Sequence, residues 1–408
     1  MQNCFIKFFK LQEFHIENVE TKGKTMLITC RPKTKIAICK TCGRKIRTVH
    51  QYRSQKPRKV KHLFWDNHLI MLLVKTRVFF CWECKKSGRV GYTTVEKLQS
   101  IPPHRNYSMA YADQIIKGLS YCAFKNQAEI AQSSFSTLEK ILTERVDPFV
   151  GTWPDSDVIT SLGLDCHSFS GVTMLPTITD ISNHKLVSIL PDDKRTTVER
   201  FLKEIPEDHK GTIKEVCIDM SRQYFQTIKR ELPSATIVVD AFHVIADANR
   251  RITELRTMIQ KADKIKLPKL LFDKPKEHLK PNERVSLNEI NRAYPELFAL
   301  WQFKEEIRRI YKIPNSTLAK MSFDSMLRKM RLLQHQSVKQ WLSMLIRWYD
   351  EILAYFDNFT TNGYTEGVNT KLKTIKRLSY GFRNIDNYIR KAMLAFIPIS
   401  LLLFHSCT

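Results

Sequence analysis

Two pairs of cysteines and a few carboxylates carry the chemistry this sequence offers. Cys39-Lys-Thr-Cys42 and Cys81-Trp-Glu-Cys84 are C-x-x-C knuckles, each at the end of a strand-like run. Four thiolates so placed supply the tetrahedral sulfur shell that Zn²⁺ takes in structural sites. The plain alternative is a pair of reduced turns without metal, which the doubling of the knuckle disfavours. The chain between Cys42 and Cys81 exceeds the roughly 15–20 residues of the common ribbon spacing. A sizeable loop or hairpin is therefore expected there, crowded with cations such as Arg53, Lys56, Arg58, Lys59 and Lys61. His50, between the knuckles, reads as a surface residue. Cys4, Cys30, Cys122, Cys166, Cys217 and Cys407 read as buried or incidental thiols.

The carboxylates of interest close apolar runs. Asp165 ends 158-VITSLGLD-165 and Asp219 ends 213-IKEVCID-219. If these two strands pair side by side, both acids meet at one edge of a sheet, where open α/β sheets carry their sites. Two acids together are costly to bury unless cations lie between them. A pair of Mg²⁺ ions about 3.5–4 Å apart answers that cost and suits in-line attack on a phosphodiester. Mg²⁺ takes hard oxygen ligands, so a third acid is needed to complete the cage. From spacing alone, a turn-forming or capping role for Asp165 and Asp219 stands equally open. Asp240, closing 236-TIVVD-240, carries the same two readings. Glu366 heads a segment loaded with Lys371, Lys373, Lys376, Arg377 and Arg383; a salt-bridged helix start is its ordinary reading.

These residues need elements to position them. Residues 1–100 read as short strands and turns, with runs at 24–30, 35–39 and 69–81 rich in β-branched and aromatic residues. Residues 105–148 switch to helix. Two helices over 126–132 and 136–146, joined at Ser133-Ser134, have the size of a helix-turn-helix, and Ser136 with Glu139 spells a capping box. From 158 the pattern predicts three strands (158–165, 171–180, 185–190) and a capped helix (196–205). Strand 213–219, helix 221–232 and strand 236–240 follow, which makes an α/β unit. The chain from 250 to 360 reads as mostly helical. Within it Val338, Trp341, Leu342, Leu345, Trp348, Ile352 and Tyr355 recur at the spacing of one core-facing helix, so the tryptophans are expected to pack rather than to bind.

The chain has 408 residues, 43% apolar and 26% charged, the profile of a globular protein of two or three domains. Its 66 Lys+Arg against 41 Asp+Glu leave a net charge of +25. The partner that offsets self-repulsion of that size is a polyanion. The start, MQNCFIKFFKLQEF, has no long apolar segment and no small-residue cleavage site, so no signal peptide is expected. The run 392-AMLAFIPISLLLF-404 is too short to span a bilayer and is broken by Pro398. A soluble, cytoplasmic, nucleoid-associated protein is the expectation, in a reducing compartment where cysteines are metal ligands or thiols rather than disulfides.

The series GLD at 163–165, IDMSRQY at 218–224, IVVDAFHV at 237–244 and TEGVNTKLKTIKRLSYGFRN at 365–384 resembles the bacterial insertion-sequence transposases of the ISL-three family. That family's motifs run "GID", "DM…Y", "D-x-FHVV" and "EG-x-N…IKR…YGFRN" in this order. The knuckles at 39–42 and 81–84 resemble its amino-terminal zinc-binding segment, so the likeness spans nearly the whole chain. One departure is visible: Cys166 stands where the family often has an acid after the first Asp.

The resemblance implies an α/β fold with a ribonuclease-H-like catalytic core over 151–408, interrupted by a helical insertion at about 250–360. A zinc-binding domain over 1–100 and a helix-turn-helix-like DNA-binding segment over 101–150 would precede it. Carried over by position, Asp165, Asp219 and Glu366 are the catalytic acids and ligands of Mg²⁺ (or Mn²⁺). Cys39, Cys42, Cys81 and Cys84 are the Zn²⁺ ligands. Asp240 and His243 match the "D-x-FH" motif without an assigned role. The implied activity is cleavage of DNA at terminal inverted repeats and joining of 3′-OH ends to target DNA, in a homodimer or higher oligomer. Its rivals are a zinc-containing DNA-binding regulator without catalysis and a metal-dependent nuclease without strand transfer.

Overall fold

The structure, a computed structural model, describes residues 2–153 and 158–403. Cys407 and the side chain of Cys4 lie outside what is described. The chain divides into two compact units, one of residues 1–150 with 375–408 and one of residues 151–374.

In the first unit a short helix, α1 (Gln2–Phe8), leads into β1 (Phe14–Lys22) and β2 (Thr25–Pro32). Two short strands, β3 (Ala37–Ile38) and β4 (Lys45–Ile46), and β5 (Val49–Tyr52) follow. Next come β6 (Arg58–Trp65), β7 (His68–Val74), β8 (Arg77–Phe80), α2 (Trp82–Lys86) and β9 (Thr93–Val95). The main sheet has the order β1-β2-β7-β6. β7, HLIMLLV, is the apolar centre of it, and Ile28, Cys30, Val60, Ile70, Leu72 and Val74 make its core. The basic stretch between the knuckles is thus partly sheet. β6, RKVKHLFW, lies at the edge, buries Val60 and His62 and leaves Lys59 outside. Lysine on an edge strand blunts pairing with other chains, which accounts for a strand so rich in charge.

Three helices complete this part: α3 (Met109–Tyr121), α4 (Phe124–Ile130) and α5 (Phe135–Val146). The cap expected at Ser136 is instead Ser134, whose hydroxyl accepts from the Thr137 amide; α5 starts two residues earlier than the S-x-x-E pattern suggests. The α4–α5 turn holds Gln132 in the left-handed region, at φ 48°.

The second unit is built on a five-stranded sheet. β10 (Ser161–Ser170), β11 (Thr173–Asp180) and β12 (Lys185–Ile189) form an antiparallel meander. After α6 (Arg195–Lys203) and α7 (Glu207–Thr212), β13 (Glu215–Ile218) joins β10 in parallel. After α8 (Arg222–Glu231), β14 (Thr236–Val239) joins β13 in parallel. The order is therefore β12-β11-β10-β13-β14. All four residues of β13 are buried, as expected of a parallel strand covered on both faces. The fold class is α/β.

The helical stretch runs from α9 (Ala241–Asp263) through α10 (Lys269–Asp273), α11 (Pro281–Ala293), α12 (Pro295–Ile310) and α13 (Ser316–Leu332). The stripe from Val338 to Tyr355 is not one helix. It breaks at Trp348 into α14 (Gln336–Arg347) and α15 (Tyr349–Asn358), so the apolar repeat runs through two helices. Trp341 and Trp348 are buried in the core, as packing residues. Next comes α16 (Gly363–Leu378). From Ile375 the chain belongs to the first unit, where α17 (Ile385–Leu394) packs on α5 and α3, and α18 (Ile399–Leu402) on α3. Among the described residues, no helix is long and apolar enough to cross a membrane.

Candidate active site and metal centres

Register alone gathers the strand-end acids. Leu164 pairs with Ile218, and Ile218 with Val239, across three parallel neighbours. The next residue on each strand is an acid: Asp165, Asp219 and Asp240. They form a row at the carboxyl end of the parallel ladder, where open α/β folds bear their sites. Asp219 and Asp240 follow their strands, whereas β10 runs on past Asp165 to Ser170, paired with β11, so the strand expected to close at Asp165 does not end there. Asp240 is 3% exposed, while Asp165 and Asp219 are half-buried.

Glu366 reaches this edge from the first turn of α16, and the way α16 is fixed explains the motif around Asp165. Asn369 donates to Asp165 Oδ2 at 2.9 Å and accepts from Thr177 Oγ1 at 2.7 Å. One turn earlier Thr365 Oγ1 meets Thr179 Oγ1 at 2.7 Å, and Asn362 donates to the Leu164 carbonyl at 3.4 Å. The approach is possible because residue 163 has no side chain. A Cβ there would stand 2.2 Å from Thr365 Oγ1 and 2.6 Å from Asn362 Oδ1. The glycine of GLD is thus the seat of the helix that carries Glu366.

A residue outside the expected triad joins the group. Ligand atoms of Asp240, His243 and Glu366 all lie within 4.8 Å of one another. His243 occupies the first turn of α9, its amide donating to the Asp240 carbonyl at 3.1 Å. Asp219 Oδ1, His243 Nε2 and Glu366 Oε1 are buried atoms without a hydrogen-bond partner. No Lys or Arg of the described residues pairs with Glu366, so the salt-bridged helix start is not what forms.

Burial pushes the carboxyls of Asp219, Asp240 and Glu366 above the usual range. The charge of Asp240 adds to this at Glu366, and His243 opposes it at all three. Several half-buried acids, mutually repelling and with unused oxygens, suit a divalent cation. Of the expected triad, only Glu366 lies in the close cluster, beside Asp240 and His243; Asp165 and Asp219 stand along the same row, and all three offer oxygen, the ligand type Mg²⁺ or Mn²⁺ takes. Cys166 turns from this centre: its amide donates to Asp165 Oδ1 at 2.7 Å and its sulfur lies 2.9 Å from Tyr224 Oη. Burial raises its thiol to about 12, which keeps it neutral.

The four knuckle cysteines converge in the first unit. Cys39 and Cys84 sulfurs are 3.7 Å apart, as are those of Cys42 and Cys81, and all four lie within 4.8 Å. Zn–S bonds of about 2.3 Å at tetrahedral angles put sulfurs about 3.8 Å apart, so the set fits zinc. Gly43, at φ 73°, closes the first knuckle, and Cys81 precedes α2, which supplies Cys84. Backbone N–H groups of Cys42 and Thr41 bring the Cys39 thiol down to about 6. His50 is exposed, its ring tilted against Phe80, and apart from the cluster.

Two clefts of the first unit are lined by cations. Arg53, Lys56 and Arg58, with His104 and Asn106, bound one of about 550 Å³ with no carboxylate in its lining. The other, about 1470 Å³, lies between α4–α5 and the 379–384 turn with the start of α17, and has Lys125 and Arg383 but also Glu129 and Glu139 on its walls.

A family model for ISL3-type DDE proteins, described as Transposase, matches residues 162–392. The chain is 24% identical over 402 residues to the transposase for insertion sequence element IS1001 of Bordetella parapertussis, covering 94% of this chain and 96% of that one. It is 21% identical over 422 residues to the transposase for insertion sequence element IS1557 of Mycobacterium tuberculosis, covering 93% and 91%.

Proposed function

This chain belongs to the ISL-three family of transposases, and on that premise we propose that it binds the terminal inverted repeats of its own element, cuts there and joins the freed 3′-OH to target DNA. The observation that carries the reading is the row of Asp165, Asp219 and Asp240 at the end of the parallel ladder, with Glu366 beside Asp240 and feeling the charge of Asp165, and with unpartnered oxygens on Asp219 and Glu366. A meander of three antiparallel strands followed by two parallel ones supports a ribonuclease-H-like core, with α9 to α15 as its helical insertion.

In this reading Asp165, Asp219 and Glu366 hold two Mg²⁺ or Mn²⁺ ions. When bound, such ions activate a water or 3′-hydroxyl and stabilise the leaving oxygen of an in-line phosphoryl transfer. The chain's own work is positional. Asn369 fixes the rotamer of Asp165, and Gly163 lets α16 close on the sheet so that Glu366 stands opposite the strand-end acids. Lys373 and Arg377, one turn apart on α16 and exposed, supply phosphate contacts that orient the strand without reading its sequence. No covalent protein–DNA intermediate is needed, and the raised Cys166 thiol is not placed to form one.

Residues 1–100, built around a zinc-bound cysteine cluster, and the helices of 101–150 recognise the element ends. The carboxylate-free cleft of Arg53, Lys56 and Arg58 is suited to backbone phosphate, and the net charge of +25 to salt-sensitive affinity. Bringing two ends together requires at least a dimer.

The test uses purified protein, a duplex bearing one element end, Mg²⁺ and a target plasmid. Wild type should nick the end and, given pre-cut ends, join them to the plasmid. Asp165→Asn, Asp219→Asn and Glu366→Gln should each lose at least about 1000-fold of both steps, with the gel shift retained. Undiminished cutting by these variants would remove the catalytic reading; cutting without joining of pre-cut ends would leave a nuclease.

A further inference from the structure

The proposed triad leaves two neighbours of Glu366 without a task, Asp240 and His243. Asp240 is the most buried acid of the edge, and the imidazole three residues later lies on the same side of the first turn of α9. Glu366 faces them from the first turn of α16, and the three ligand atoms already lie within 4.8 Å of each other.

Two of these side chains have a buried atom with nothing to bond, His243 Nε2 and Glu366 Oε1. A histidine kept only to orient Asp240 or Glu366 would spend that nitrogen on a hydrogen bond; here it is held back. Buried polar atoms in folded proteins are paired, and those that are not call for a ligand. Atoms bound to one cation at about 2.1 Å stand at most about 4.2 Å apart, so a displacement of tenths of an ångström closes the set.

We propose that Asp240, His243 and Glu366 form a mixed imidazole–carboxylate site for a divalent transition metal, so that the metal position on the Glu366 side of the centre is chemically unlike the oxygen-only position at Asp165 and Asp219. This rests on the reading of Glu366 as a metal-binding acid. Imidazole suits first-row transition metals, whereas Mg²⁺ keeps to oxygen and water. The Glu366 side therefore selects Mn²⁺ over Mg²⁺, while the other side takes either. The register of β14 and the start of α9 build this asymmetry: Val239 ends the strand, Asp240 takes the N-cap position without a side-chain cap bond, and His243 follows in the first turn.

Mn²⁺ is the probe, because the thiolates at Cys39, Cys42, Cys81 and Cys84 favour softer ions and bound zinc is silent in paramagnetic resonance. Full-length protein is titrated with Mn²⁺ by loss of the free-ion signal, and pulsed measurements read nitrogen coupling on the bound ion. The expected result is imidazole nitrogen coupling in wild type, lost in His243→Gln, with Mn²⁺ bound at least about tenfold more weakly in His243→Gln and Asp240→Asn. Mn²⁺ bound to wild type without nitrogen coupling overturns the proposal, and that measurement stands even if a variant fails to fold. Wild-type Mn²⁺ affinity in a folded His243→Gln, with weakened DNA binding instead, also overturns it by assigning the imidazole to phosphate. Either failure leaves the three-acid reading intact. Cutting by Asp165→Asn would sink that reading without touching the nitrogen result.

Discussion

Gly163 and Thr365 meet so closely that only glycine fits: a Cβ at residue 163 would lie 2.2 Å from Thr365 Oγ1, with Asn362 Oδ1 and Thr179 Oγ1 at 2.6 and 2.7 Å. These are short polar groups on a helix start and a strand, not the ends of flexible chains. Gly163→Ala must therefore shift α16, and Glu366 with it. Overpacking of this kind costs about 1–3 kcal/mol. A displacement near 1 Å at the acids lowers turnover by about 100-fold. Thermal melts and the end-nicking assay measure both. Adding Thr365→Ala removes the nearest of the three contacts and should restore part of each loss. Strict additivity in that double-mutant cycle would show that the contact is not the cause.

The strand-end acids trade stability for function in the metal-free protein. Burial holds the carboxyls of Asp219 and Glu366 above their unfolded values. A raised folded value means the stabilising contribution is complete below the unfolded carboxylate range and is lost as pH rises through the folded value. At pH 7 each ionised group thus opposes folding, and Asp219→Asn or Glu366→Gln should raise the metal-free Tm by about 2–4 °C. The gain should vanish near pH 3.5, where wild type is protonated as well. Excess Mn²⁺ should raise the wild-type Tm by mass action and the variants' less. A fall in metal-free Tm at pH 7 would contradict the electrostatics described.

What could be read in the sequence, and what could not, follows from the range of the interactions. The runs leading to Asp165, Asp219 and Asp240 were legible because buried parallel strands are apolar over most of their length, although β10 itself continues past Asp165 to Ser170. The knuckles were legible because their ligand spacing is local. β1 and β6 were not: β1 is exposed over most of its length and β6 is an edge strand full of lysine and arginine. Neither shows the alternation that marks a half-buried strand. The break at Trp348 was hidden because that residue stays buried and keeps the apolar repeat in step from one helix to the next. The grouping of His243 with Glu366 had no local signal, since it depends on α16 settling on Gly163, far away in the chain.

The four-cysteine cluster, read as a zinc site, should behave as a separable part of the first unit. Its small core, with Ala37, Ile46 and Phe79 beside the cysteines, is distinct from the β2–β7 core around Ile28 and Leu72. Wild type should carry one zinc per chain by elemental analysis, and Cys84→Ser should carry almost none. Hydrogen exchange should then show lost protection over 37–46 and 79–95, with β2 and β7 still protected. Full retention of zinc in Cys84→Ser would rule out the four-thiolate shell. Because thiolates must be deprotonated to bind, chelator stripping should also become easier as pH falls.

A buried histidine gives the first unit its own response to acid. His62 is fully enclosed, with Nε2 donating to the Phe9 carbonyl at 2.6 Å and Nδ1 2.8 Å from Ser108 Oγ. The carbonyl can only accept, which sets the tautomer and leaves Nδ1 to accept from the hydroxyl. Burial, opposed by the bond to Phe9 and aided by Lys10, lowers the imidazole to about 4 from 6.5. A depressed folded value means the stabilisation is complete above the unfolded value and is lost as pH falls from 6.5 toward 4. The loss is on the order of 3 kcal/mol at the acid end. Urea unfolding at pH 7 and pH 4.5, read by a probe in the first unit, should show a steep fall for wild type. His62→Gln should start less stable and show a shallower one. An equal slope in the two proteins would assign the acid sensitivity to other groups.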